Sequence, residues 1–269
     1  MTILTEYESK KLLSKYGIPV TKEFIAKNTK EAIQFAEKIG FPVAMKIVSK
    51  EITHKSDSGC VLLNIDGINE VEKGFNTIIN NANKHAPYAT IDGVLISEMV
   101  QSGIETIVGV KRDPQFGAVI MFGLGGIFVE VFKDVSLRVA PITKVDAINM
   151  IKEIKGYKIL KGFRGRKEYD IDSVVDVLLS VSKLSEEIDK GCRASPNQTS
   201  PDKTIASDGQ NVNGIEGCEL GILLELDINP LIVTERRDLQ NRSGTIGETV
   251  QEKGVVAVDA RILLNDSTC

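Results

Sequence analysis

Between residues 93 and 140 the chain is made of β-prone runs and little else. The runs 94–100, 105–111, 118–122 and 127–140 follow one another, set apart by Gly, Pro or Asp. Helical patterns lie to either side. Thr5 and Glu8 have capping-box spacing and start a helix that Gly17 and Pro19 stop. A second helix covers 29–39 and is closed by Gly40. A third is capped by Asn69 and carries Val71, Phe75, Ile78, Ile79 and Ala82 on one face. Thr143 with Asp146 starts a fourth, and a fifth runs from about Asp172 to Ile188. Further strands are expected at 43–48, 60–65, 222–227, 231–234 and 255–264. Strands in runs, with helices at intervals and no regular βαβ alternation, specify a mixed α+β architecture.

The 269 residues suffice for one or two domains with substantial cores. Lys plus Arg is 33 against 37 for Asp plus Glu, a formal net charge of −4, which speaks against a broad basic nucleic-acid footprint. No run approaches the roughly 18 apolar residues of a membrane span. The first residues lack the pattern of a secretory signal, so a cytoplasmic protein with reduced thiols is expected. Residues 191–217 are rich in Ser, Asn, Asp, Gly and Thr without apolar periodicity and read as a surface loop.

Several residues stand out chemically. Lys46 sits inside the apolar run Val-Ala-Met-Lys-Ile-Val, where a charge is costly unless paired or aimed into a pocket. Taken alone it reads first as a lysine on the outward face of an alternating strand, and second as one whose ammonium meets a phosphate or carboxylate. Glu98, within Val-Leu-Ile-Ser-Glu-Met-Val, and Glu105 are carboxylates at strand ends, suited to an adenine edge and to ribose hydroxyls. His54, in His-Lys-Ser-Asp, is a loop histidine: such a residue is usually just exposed, but a neutral imidazole is also a competent phosphoryl acceptor. Asp227 and Asn229 alternate onto one strand face, and Asp259 adds an oxygen donor on a neighbouring strand, a set suited to magnesium. Gly123-Leu124-Gly125-Gly126 fails both the dinucleotide fingerprint and the P-loop pattern, and reads as a tight turn between strands.

A lysine strand, a Glu-rich hinge and a late magnesium pair are the parts of a nucleotide site without a P-loop. The chain resembles the beta (ATP-grasp) subunit of ADP-forming acetyl-CoA or acyl-CoA synthetases, relatives of succinyl-CoA synthetase. The resemblance rests on several motifs in order. These are Leu4-Thr5-Glu6 through Ile18-Pro19, the lysine strand, His54-Lys55-Ser56-Asp57, and Arg112-Asp113-Pro114-Gln115-Phe116-Gly117. They continue with the Gly123 to Gly126 stretch, the segment from Glu225 to Leu231, and Val256-Ala257-Val258-Asp259-Ala260-Arg261.

That resemblance implies an ATP-grasp fold of two mixed α/β subdomains with the nucleotide between them. Residues 1–92 would hold the lysine strand and the His54 loop. Residues 93–269 would hold the magnesium site, with polar excursions at 191–220 and 235–253. It implies that Lys46 binds the ATP phosphates, that Glu98, Met99 and Val100 hold the adenine, and that Glu105 meets the ribose. Asn229 and Asp259 would bind Mg2+. His54 would carry the phosphoryl group, Asp227 would orient it, and Arg138 would neutralise the group in transfer. The implied reaction is acid + CoA + ATP ⇌ acyl-CoA + ADP + phosphate, shared with a CoA-binding alpha subunit in a two-plus-two heterotetramer, with neither nucleic acid nor membrane as partner. A non-catalytic ATP-binding relative and a standalone carboxylate ligase are the alternatives.

Overall fold

The computed structural model describes residues 1–52, 55, 57–100, 103–163, 167–191, 221–236 and 254–265. The elements run β1 (Thr2–Ile3), α1 (Glu6–Lys15), β2 (Glu23–Ala26), α2 (Thr29–Ile39), β3 (Val43–Val48), β4 (Val61–Ile65), α3 (Ile68–His85) and β5 (Gly93–Glu98). They continue with β6 (Ile104–Asp113), β7 (Gly117–Leu124), α4 (Ile127–Glu130), β8 (Val135–Val139), α5 (Lys144–Glu153), α6 (Tyr157–Leu160) and α7 (Ile171–Gly191). β9 (Ile222–Val233), β10 (Val255–Ala257) and β11 (Ala260–Asn265) follow. Among the described residues no helix is long and apolar enough to cross a membrane.

The strands form two sheets. The smaller has the order β2-β5-β3-β4, and the larger has the order β1-β11-β9-β6-β7-β8, with β10 also paired to β9. Each pairing is antiparallel. Each sheet buries one face under helices. In the smaller, Val43, Met45 and Ile47 of β3 and Val94 and Ile96 of β5 pack with Val71, Phe75, Ile78 and Ala82 of α3 and with Ala32 and Ala36 of α2. In the larger, Val108, Val110, Ile120, Phe122, Leu226 and Ile228 pack with Leu12 and Leu13 of α1, Met150 and Ile151 of α5, and Leu178 and Val181 of α7. The two apolar clusters are separate.

The helix signals hold well. Thr5 and Thr143 both make complete capping boxes, and Asn28 and Gly40 bound α2. These are local devices, so the sequence carries them in full. Other expectations need correction. The third helix starts after Gly67, before Asn69. The run 127–140 divides into the short helix α4 and the edge strand β8, because Gly126 at φ +58 turns the chain out of the sheet. The expected strands 222–227 and 231–234 are one strand, β9, whose pairing with β6 shifts register between Thr106 and Val108.

The boundary near residue 92 also moves. β5 at 93–98 lies inside the smaller sheet, hydrogen-bonded to both β2 and β3. β1 pairs with β11, and α1 packs into the larger core, so the first residues belong with the larger sheet. The chain therefore crosses twice between the sheets. The polar excursions expected at 191–220 and 235–253 lie outside the described residues, apart from Gly191, Glu235 and Arg236.

Candidate functional site

A cleft of about 510 Å³ opens between the two sheets, with Thr5 and Glu6 at the start of α1 also on its wall. Strand alternation decides what each sheet presents there. β3 turns Val43, Met45 and Ile47 to its helices and Ala44 and Lys46 to the cleft. β4 adds Val61 and Leu63, and β5 adds Ser97 and Glu98, with Met99 and Val100 following. From the other side come Glu105, Pro230, Ile232, Val258, Asp259 and Arg261.

Lys46 is 8% exposed, so the outward-facing alternative fails. Its Nζ donates to Glu6 Oε1 at 2.8 Å and to Asp259 Oδ2 at 3.2 Å. Burial would push the ammonium down, but Glu6 and Asp259 outweigh it and hold Lys46 above its ordinary range. Glu6 is itself buried and meets Lys10 at 3.2 Å and Lys55 at 3.3 Å. Burial alone would raise its carboxyl. The ammonium groups of Lys10, Lys46 and Lys55 overturn that and bring it down to about 2. Lys10, also buried, donates to Thr21 at 2.9 Å and to Glu23 at 2.6 Å.

Sequence reading missed Glu6 and Lys10. The available signal was their i, i+4 spacing at the start of α1, which is common on surface helices and names no partner forty residues away.

Asp259 occupies a break between β10 and β11. Opposite it, the Asn229 N–H donates to the Asp259 carbonyl at 3.2 Å, and the Val258 N–H donates to that of Pro230 at 3.0 Å. The expected metal residues are thus neighbours through backbone pairing. Asp227 is held across from Arg261 in the β9–β11 register. Burial first, then Glu225 and Asp259, push its carboxyl up to about 6, while Arg261 opposes them. Burial and Glu6 raise Asp259 likewise, against the nearby lysines. The oxygen chemistry of Asn229, Asp227 and Asp259 fits a hard ion. Among the described residues no group of three or more His, Cys, Asp or Glu surrounds a metal position. Neither Asp227 nor Asn229 lines the cleft wall itself.

The Glu98 carboxylate accepts the Lys22 N–H at 2.6 Å, which ties the strand end to the segment before β2. Glu105 stands exposed at the start of β6, and its carbonyl accepts the Gly125 N–H at 2.8 Å. A Cβ at Gly125 would come within 3.0 Å of the Glu105 Cβ, so the glycine turn is shaped for packing against β6.

Arg138 is not brought to this site. It pairs across from Ile120, a residue of the helix-covered core, and its guanidinium binds Glu153 of α5 and the Leu137 carbonyl. Residues directly opposed across antiparallel strands share a face, so Arg138 lies on the side away from the cleft. The cleft's arginine among the described residues is Arg261. His54 lies outside the described residues, while Lys55 beside it reaches Glu6.

The family model described as an ATP-grasp domain matches residues 1–193. The beta subunit of ADP-forming acetate–CoA ligase II of Pyrococcus furiosus is 53% identical over 187 residues, covering 70% of this chain and 79% of that protein. Acetyl-coenzyme A synthetase 1 of Ca. Korarchaeum cryptofilum, solved with coenzyme A, Ca-AMPCP and HgCl+, aligns with a TM-score of 0.76. It shows 40% identity over 98% of this chain and 93% of that one. A second structure of that enzyme, with coenzyme A and Mg-AMPPCP, has its phosphohistidine segment pointing towards the nucleotide binding site. It aligns with a TM-score of 0.68 and 37% identity, over the same shares of the two chains.

Proposed function

The chain belongs to the ATP-grasp family, among the beta subunits of ADP-forming acetate–CoA ligases, and we propose that its inter-sheet cleft transfers a phosphoryl group between nucleotide and histidine. It is the ATP-grasp subunit of an ADP-forming acyl-CoA synthetase, which couples acid + CoA + ATP to acyl-CoA + ADP + phosphate. As a beta subunit it works with a partner subunit. The partner in our reading is a CoA-binding alpha subunit, in a two-plus-two assembly.

The observation that carries the site assignment is the buried Lys46 ammonium, bonded across the cleft to Asp259 of the opposite sheet. In this reading Lys46 binds the phosphates. Ala44, Val61 and Leu63 offer the base an apolar wall. Glu98, fixed by Lys22, sets the position of Met99 and Val100 along the adenine edge, and Glu105 receives the ribose hydroxyls. Asn229 and Asp259 would share Mg2+ with the phosphate oxygens, and the bound ion supplies charge neutralisation. Arg261, rather than Arg138, is the arginine available to the group in transfer.

His54 is the proposed acceptor. A P–N bond forms from an imidazole nitrogen as the bond from the γ-phosphorus to its bridging oxygen breaks, and ADP leaves. Asp227 would hold the other ring nitrogen.

The test is to purify the chain with its partner, confirm acid- and CoA-dependent ADP formation, and incubate it with labelled ATP and magnesium. Acid-labile, base-stable label on wild type and none on His54→Ala is expected. Label persisting in that variant overturns the acceptor assignment.

A further inference from the structure

Three lysines and three carboxylates form a chain across the seam between the sheets: Glu23, Lys10, Glu6, Lys46 and Asp259, with Lys55 also on Glu6. The apolar clusters on either side are separate, so this part of the seam is ionic. Glu6 is its centre. It sits in the first turn of α1, which packs into the larger core, yet its Oε1 takes the ammonium of Lys46 from the smaller sheet.

A lysine ammonium has three donors on a flexible four-carbon stem, and ordering that stem costs side-chain entropy. Glu6 and Asp259 take two of the three donors of Lys46. Two fixed acceptors leave the third N–H little freedom of direction. Asp259 is needed for metal in the reading above, and its side chain is 44% exposed. That of Glu6 is 4% exposed and has no such competing task.

We infer that Glu6 is a positioning residue for the reaction: it holds the Lys46 ammonium aimed into the cleft, so that the phosphates meet a preplaced donor. The inference rests on the reading of Lys46 as the phosphate lysine. Preorganised donors cost no reorganisation when the charge arrives, whereas a free lysine stem must be ordered first.

The distinguishing test is a comparison of ligands and backgrounds in the complex with its partner. Glu6→Gln keeps the shape of the side chain and removes its charge. It should weaken MgATP binding by about tenfold or more, since a charge-assisted bond becomes a neutral one. Adenosine, which has no phosphates, should bind as to wild type. In a Lys46→Met background the same Glu6→Gln change should alter MgATP affinity by less than about twofold, because the group it acts through is gone.

Unchanged MgATP affinity in Glu6→Gln, an equal loss for adenosine, or the same loss in Lys46→Met would each overturn the inference. If Lys46→Met itself binds MgATP normally, the site reading fails with it. If only Glu6→Gln is silent, the site reading stands and the role of Glu6 falls. Should Glu6→Gln not fold, the pair Glu6→Gln with Lys10→Met keeps the seam's net charge and carries the same measurements.

Discussion

The two sheets meet at one cleft and bring different groups to it. The smaller brings an apolar wall, a buried ammonium and, at the end of β5, one carboxylate: Ala44, Val61, Leu63, Lys46 and Glu98. The larger brings oxygen: Glu105 and Asp259 in the cleft wall, with Asp227 and Asn229 on the strand beside it. A nucleotide has the matching division, with a flat base at one end and phosphates needing both a fixed cation and a metal at the other. The difference teaches how two modest cores make a site neither could make alone. Each spends its helix-covered face on stability and keeps its open face for polar groups that no core would tolerate unpaired.

Removing the cation from the smaller sheet should have the largest effect. Lys46→Met is expected to lower phosphoryl transfer roughly 10³-fold in single-turnover measurements, the upper range for one preorganised donor. Transfer within tenfold of wild type would show that the smaller sheet supplies only the wall for the base.

Next comes the oxygen side. Asp259→Asn should lower magnesium-dependent turnover roughly 10²-fold, and raised magnesium should restore part of it. Loss that no magnesium concentration relieves would mean that Asp259 matters through Lys46 alone.

Stability against pH should separate the buried seam from the open face. Asp227 has its folded pKa raised to about 6 from 3.8. A raised carboxyl contributes stability below the lower value, lost as pH rises through the upper one. Asp227→Asn should therefore raise Tm by about 2–4 °C at pH 7.5, allowing for solvent screening, with the gain fading as pH falls towards 4. Glu6 is opposite. Its pKa falls from 4.5 to about 2, so its contribution is present above 4.5 and lost as pH falls through 2. Glu6→Gln should lower Tm at neutral pH and converge on wild type in acid. Parallel profiles for the two variants would erase the contrast between seam and face.

The smallest effect is expected at Arg138. Arg138→Ala should leave phosphoryl transfer within about twofold, since its guanidinium serves Glu153 on the helix side. Arg261→Ala should cost more. The reverse order would return the transferring phosphoryl group to Arg138.

Much of this was legible in the residues. The capping boxes at Thr5 and Thr143, the span of α2, and the succession of strands after Gly93 are local patterns, set by groups three or four positions apart or by alternation. The same locality made Lys46, Glu98, Glu105 and Asp259 visible, because a charge inside an apolar run is anomalous whatever surrounds it. What the sequence left open concerned partners. The Glu6 side chain looks like any acid in a first helical turn until β3 is laid beside α1 and β11. Arg138 looks like any strand arginine until its register with Ile120 assigns it to the helix-covered face. β5 follows the first stretch in sequence but pairs between β2 and β3. By itself the sequence determined the elements and the residues too polar for their surroundings. Tertiary structure alone decided which of them share a face and which charges neutralise one another. Facing is fixed by register, and neutralisation by approach across 40 to 213 residues of chain, and no local pattern encodes either.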